Sequence, residues 1–410
     1  MDMWGSLLLA LLTGLLPQAR KPDPRKIDEA INRGVSFLRG TERPGYPDRQ
    51  IANCDELVLW TLVHAGVPES DALFRELLKS MLEEPLERTY KVALQAMILE
   101  ELDRGRYQGR IAQCAQFLAD NQCGNGQWSY GEASAFTKDV PTATPLKPGV
   151  ATDGARPRSA GAAIDGGVRQ KPRVLATIAI KKMKEGPGEG DNSNSQYAAL
   201  GLRACFDAGV LLPRETVELA RKWWRESQND GGKAKKERPN VATGASDAPF
   251  PAEPAGWCYG GKSHGHPAYG SMSAGAVGAL VIYDHLLGEK AKTDPWALAG
   301  LAWMAQKFTV TDNPGPPEWG EGKPGYMTYY YLYAMERAGI LFGTEVMGGH
   351  RWYPEGADHI LRSQKPDGSW SAGGPEANST WETCFAILFL KRATRPLEDV
   401  ASEDPYHKRP

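Results

Sequence analysis

Cysteine is sparse in this chain: six among 410 residues, scattered at positions 54, 114, 123, 205, 258 and 384. None stands at the short paired spacing of a zinc site, so no metal is expected and buried thiols are the plain reading. A Cys114–Cys123 bridge is the alternative if the chain is exported. An excess of either charge is missing too. Lys and Arg number 48 against 50 for Asp and Glu, a net charge of −2, which gives no reason to expect a nucleic-acid partner. Long apolar runs are also missing. The one candidate, MDMWGSLLLALLTGLLPQARK at the start, is too short for a comfortable membrane span. It reads as a secretory signal over residues 1–20, although Asp2 stands where basic residues are usual. The expectation is an exported chain, periplasmic or otherwise extracytoplasmic, with no integral membrane span once the signal is removed. The alternative is a plain N-terminal tail or a misplaced start.

Glycine (45) and tryptophan (12) are plentiful, and an apolar content of 41% fills a sizeable core. Amphipathic segments alternate with segments apolar on nearly every side. Residues 27–38, 72–82, 111–121, 214–227, 295–308 and 354–363 are of the first kind. Residues 54–65, 89–102, a stretch from 192 stopped by Gly209, 271–287, 325–338 stopped by Gly339, and 380–390 are of the second. A helix apolar all round needs neighbours on both sides, and closing the row gives each of them two. The expected fold is all-α, a single (α/α)6 toroid of six inner and six outer helices over residues 25–395. An open helical superhelix is the alternative. Two Pro-, Gly- and Lys-bearing stretches, about 131–190 and 229–256, read as insertions. The first is expected to be mostly a mobile excursion, with a short element within 174–180. Residues 396–410 form a tail.

A local pattern recurs at the end of the amphipathic segments: an aromatic, an aliphatic, three residues, Gln, three residues, Gly, one residue, Trp. Phe117-Leu118, Gln122, Gly126 and Trp128 fit fully. His359-Ile360, Gln364, Gly368 and Trp370 fit with His in the aromatic slot. Trp223-Trp224 and Gln228 begin a copy whose tryptophan is taken to be Trp257, beyond the second insertion, and Trp319-Gly320 is the turn of another. Glutamine at a helix end can cap orphan helix groups, and glycine permits a turn that lays tryptophan over the joint. Burying an indole removes ~150–250 Å² from water. These residues therefore read as scaffold.

On these residues the chain resembles the squalene–hopene cyclase, oxidosqualene cyclase and protein prenyltransferase superfamily, whose mark is this Gln–Trp repeat. The resemblance covers about residues 25–395. The stretch 339–394 looks most like bacterial prenyltransferase/squalene-oxidase repeat proteins. In such a toroid the N-termini of six inner helices meet at one mouth, where their dipoles favour anions or polar ligands. Inner-helix residues Tyr197, Tyr330, Tyr333 and Phe385 would line an apolar cavity beneath.

Two signatures that the resemblance would supply are missing. The Asp-x-Asp-Asp of class II cyclases is met by Asp191-Asn-Ser-Asn194, with one carboxylate, and Asp191 or Asn192 reads more simply as a helix cap. The prenyltransferase zinc site is met by Glu382-Thr383-Cys384, with a carboxylate in the histidine slot. No cofactor is expected. His264 and His266 could join Asp191 or Glu382 around a metal, but hydrogen-bonded or solvated histidines are the simpler reading. The Cys-Gly-Glu-Gln of complement-like thioester domains is one residue out of register in Cys123-Gly-Asn-Gly-Gln127.

The function expected is to bind or transform an isoprenoid-like apolar ligand. Its head would lie at the mouth near Asp191, Gln196, His264, His266 and Glu382, where Asn194, Tyr269 and Trp381 also stand, and its tail against the tyrosine lining of Tyr197 and Tyr330. If the protein is an enzyme, Asp191 or Glu382 is the general acid and Tyr330 offers its ring face to cationic character. The alternatives are a non-catalytic exported scaffold that grips a protein partner, and a glycan-active (α/α)6 hydrolase or lyase pairing Asp191 with Glu382.

Overall fold

A computed structural model describes residues 22–41, 55–140, 174, 177–229, 253–261, 267–315, 325–373 and 378–397. The leader, Cys54, His264, His266, Trp319-Gly320, and most of both insertions and of the tail lie outside the described residues. Among those described the fold is all-α, with twelve α-helices. They are α1 Pro24–Gly40, α2 Asp55–Ala65, α3 Ala72–Glu83, α4 Thr89–Asp103, α5 Gln108–Asp120 and α6 Asn192–Asp207. There follow α7 Arg214–Ser227, α8 Gly270–Leu286, α9 Pro295–Gln306, α10 Thr328–Phe342, α11 Trp352–Ser363 and α12 Ser379–Lys391. No helix of the described residues is long and apolar enough to cross a membrane.

The two helix types bury themselves differently. In α7 the buried residues are Thr216, Val217, Ala220, Trp224 and Ser227, spaced so that they share one face. In α10 every residue from Thr328 to Phe342 is buried. Several starts are fixed by side-chain caps, in which Asp23, Asp71, Asp191, Asp294 and Asn378 each accept from a backbone N–H of their own first turn. Packing follows the burial. Helix α2 packs on α4, α4 on α6, α6 on α8, α8 on α10, α10 on α12, and α12 on α2, so contacts among the even-numbered helices return to their start. The odd-numbered helices pack onto these, with α5 against both α4 and α6, and α1 against α12, α2 and α11.

The joints repeat one geometry. The indole N–H of Trp128 donates to the Leu118 carbonyl, that of Trp257 to Trp224, and that of Trp370 to Ile360, each at 2.8 Å. The backbone N–H of the same tryptophans donates to Ser195, Ser273 and Thr383 hydroxyls at the start of the following even-numbered helix. Trp257 therefore takes the place that its sequence position suggested. The glutamines do something else than cap their own helix. Gln122, Gln228 and Gln364 donate to the carbonyls of Thr216, Trp296 and Ala30, each in the next odd-numbered helix. Four residues on from those carbonyls stand Ala220, Gly300 and Gly34. A Cβ on Gly300 would meet Trp257 at 2.8 Å, and one on Gly34 would meet Trp370 at 2.7 Å, so small residues there admit the indole. Gly126 and Gly368 have φ of +96° and +88°, and a Cβ on either would come within 2.4 or 2.5 Å of the next helix's backbone oxygen.

One expectation is corrected, and two readings gain detail. Gly339 does not stop α10, which continues to Phe342 and ends at Gly343. Gly339 is there because Trp352 packs onto it, a Cβ meeting that indole at 2.6 Å. Cys114 and Cys123 are free thiols rather than a bridge, both buried. Part of the first insertion is firmly docked. Residues 178–179 pair in parallel with 210–211, Met183 N–H donates to Asp120, and the N–H groups of Gly124 and Asn125 donate to the carbonyls of Pro187 and Gly188.

Candidate functional site

Tyr330, in the first turn of α10, brings the starts of α6 and α10 together. Its hydroxyl accepts from the Gln196 amide at 2.8 Å and shares a hydrogen bond of 2.9 Å with Ser193. Two turns further along α10, Nη2 of Arg337 donates to the side-chain oxygen of Gln196 at 2.7 Å. The Arg337 guanidinium stacks 4.3 Å from the centre of the Tyr333 ring and lies 5.6 Å from that of Tyr197. Tyr333 in turn accepts from the Trp60 indole at 3.1 Å and stacks with Phe385. Helices α2, α6, α10 and α12 thus each send a side chain into one buried cluster.

This cluster is polar inside an apolar surround. Arg337 is 2% exposed, and its Nη1 has no hydrogen-bond partner among the described residues. The adjacent Glu336 does not pair with it. Its two oxygens accept from the Thr394 N–H at 3.0 Å and the Thr394 hydroxyl at 2.6 Å. Burial holds the Glu336 proton and raises its pKa to about 7, against the opposing pull of those hydrogen bonds and of Arg337. Burial likewise pushes the Tyr330 and Tyr333 hydroxyls far above their usual range, so both stay neutral.

The C-terminal ends of α4 and α6 border a recess of about 50 Å³ that Trp60 and Tyr333 also line. That is room for a few water molecules only. The segment after α12 crosses it. Arg203 donates at 2.8 Å to the carbonyls of Arg395 and Pro396, Arg395 pairs with Glu101, and Thr394 is held by Glu336 as above.

The two proposed acids are engaged in their own turns rather than with each other. Asp191 caps α6, one oxygen accepting from the Asn194 N–H at 2.7 Å and the other from the Asn194 amide at 2.8 Å, with Tyr259 as a further partner. Burial raises its pKa while these bonds oppose the shift. An acid has to present a proton to substrate, and both oxygens here accept. Glu382 lies in the first turn of α12, where it accepts from the Ala372 N–H at 3.1 Å and bonds Ser371, with burial raising its pKa. The cap reading of Asp191 is the one its geometry supports. Comparison with known protein families and with curated proteins finds no match for this chain.

Of the sequence candidates, Gln196, Tyr197 and Tyr330 meet in the cluster. Asn194 serves the cap on Asp191. Tyr269 is buried at the start of α8; burial foremost, then Tyr330 and in smaller measure Asp191, raise its hydroxyl pKa. Trp381 is half-buried beside the α12 cap, its N–H donating to Asn378. His264 and His266 lie outside the described residues. Among those described, no three His, Cys, Asp or Glu side chains gather as a metal site. Sequence reasoning missed Arg337. Its signal is the pair Glu336-Arg337 inside TYYYLYAMERAGILF, a helix apolar enough that two charges there need a reason.

Proposed function

We propose that the twelve helices form a closed (α/α)6 toroid of the squalene cyclase/prenyltransferase repeat type, which binds an isoprenoid-like apolar ligand without transforming it. The observation that carries this reading is the pairing of Arg337, Gln196 and Tyr330 among aromatic rings, while Asp191 and Glu382 are engaged in holding turns. The returning contacts of the even-numbered helices and the three repeated tryptophan joints support the closed toroid, with even-numbered helices inside and odd-numbered outside. The dipoles of the inner-helix N-termini favour the entry of a ligand with a polar or anionic head.

Purified protein incubated with squalene, prenyl diphosphates and oligosaccharides, then extracted for mass spectrometry, tests the reading. Unchanged apolar ligand recovered with the protein is the expected result. A new hydrocarbon skeleton or shortened sugars would replace binding with catalysis. Recovery of no ligand would favour a scaffold that grips a protein partner.

A further inference from the structure

A guanidinium closed off from water with one terminal nitrogen unbonded is a charge awaiting a partner. Buried cations in proteins are ordinarily matched by an anion, because desolvation otherwise disfavours the charged form. Arg337 keeps its charge by chemistry, since its guanidinium does not lose its proton in proteins. The residues around it do not supply the missing anion. Gln196 and Tyr197 offer neutral oxygens, and Tyr330 and Tyr333 are phenols. Glu336, the neighbour in sequence, has both oxygens on Thr394. Glu56, at the start of α2, is 3.5 Å from Lys91, and Asp191 and Glu382 are held in their turns.

Resting on the ligand-binding reading above, we propose that Arg337 receives the carboxylate head of an apolar ligand. A carboxylate brings one negative charge to one guanidinium, and its two oxygens suit the planar fork of arginine. A diphosphate would bring more charge than a single buried cation can match. The faces of Tyr197, Tyr333 and Phe385 beside the guanidinium suit the apolar carbons that follow the head. Tyr330 and Ser193 stand between Arg337 and the helix starts, so their shared hydrogen bond opens as the head enters.

The full chain is titrated with farnesoate, farnesol, farnesyl diphosphate and oleate, following tryptophan fluorescence and confirming by calorimetry. Farnesoate should bind at least about tenfold more tightly than farnesol, the scale of a charge-assisted hydrogen bond. Arg337→Met should erase that preference, the ratio of farnesoate to farnesol affinity falling to about one. Should Arg337→Met fail to fold, Gln196→Ala serves, because it frees Nη2 and is expected to raise the preference for farnesoate over farnesol severalfold. Carboxyl-labelled farnesoate adds a spectroscopic readout, its bound carbon resonance staying that of the ionised acid to lower pH than in solution. Equal affinity for farnesoate and farnesol, or tightest binding of the diphosphate, overturns the role of Arg337 and leaves the apolar-ligand reading standing. No binding of any of the four overturns both. Oleate bound as tightly as farnesoate supports the carboxylate and points to an acyl rather than isoprenoid tail.

Discussion

The side-chain amide of Gln364 donates to the carbonyl of Ala30 at 2.8 Å, and Arg33 donates back to the Gln364 side-chain oxygen. The last amphipathic helix is thereby fastened to the first by the same bond that Gln122 makes to Thr216 and Gln228 to Trp296. Replacing Gln364 with Leu leaves the Arg33 guanidinium without that partner and the Gly368 turn without its bond to the amide. A loss of about 0.5–1.5 kcal/mol in urea denaturation is expected. An unchanged midpoint would mean that the joint between the two ends does not bear on stability.

Trp128 and Trp370 are fully buried, with their indole N–H groups bonded across the joint. Truncating either to alanine should lower the unfolding free energy by about 3–5 kcal/mol, from lost burial and the void left behind. Gly126→Ala and Gly368→Ala, at positive φ and against a backbone oxygen, should each cost at least about 2 kcal/mol. Thermal melts of the four variants check both. Near-native melting of the glycine variants would show that the turns can shift.

Glu336 carries a sign that stability measurements can read. Its folded pKa, about 7, lies above its ordinary value of 4.5, so the folded chain holds this proton more tightly than the unfolded one. Its contribution is fully present below about pH 4.5 and is lost as the pH rises through about 7. The loss is at most about 3 kcal/mol. Glu336→Gln, which keeps an acceptor for the Thr394 N–H, should lose this part of the pH dependence and gain relative to the natural chain between pH 5 and 8. Parallel slopes for the two proteins over that range would reject the shift.

Asp191 separates a cap from an acid. Asp191→Asn keeps a side-chain oxygen for the Asn194 N–H and should retain the fold and ligand binding. Asp191→Ala should cost about 0.5–2 kcal/mol through the lost cap. Equal effects of the two on stability would argue that the carboxylate charge, not the cap, is what matters there.

The thiols offer a simple check on the redox reading. Burial pushes Cys114 up to about 12 and Cys123 up to about 11, so neither ionises near neutral pH. Both should resist alkylation in the native chain, react after unfolding, and show the same mass with or without reductant. A mass lower by two hydrogens before reduction, mapped to a peptide joining the two, would restore the bridge.

The helices were legible because burial has a period. The buried positions of α7 repeat at helical spacing, and the uninterrupted burial of α10 follows from its apolar content. Gly339 misled because a glycine that ends a helix and a glycine that receives an indole look alike in one dimension. Trp352, which tells them apart, is reached only through packing. The cluster was legible in part. Gln196 and Tyr330 stood out by their place near helix starts, but the bond from Arg337 to Gln196 spans 141 positions, and no local pattern encodes it. Asp191 and Glu382 drew attention as acids because sequence shows charge and hides the neighbours that occupy it.

The contact between α1 and α12 also bears on how the chain is made. A nascent polypeptide has its first helix long before Trp370 arrives to cover Gly34, so an apolar flank stays open until synthesis is nearly finished. Early termination should therefore yield sticky fragments rather than smaller stable proteins. A chain in which α12 is joined to α1 by a linker and which is reopened at another surface loop should still fold.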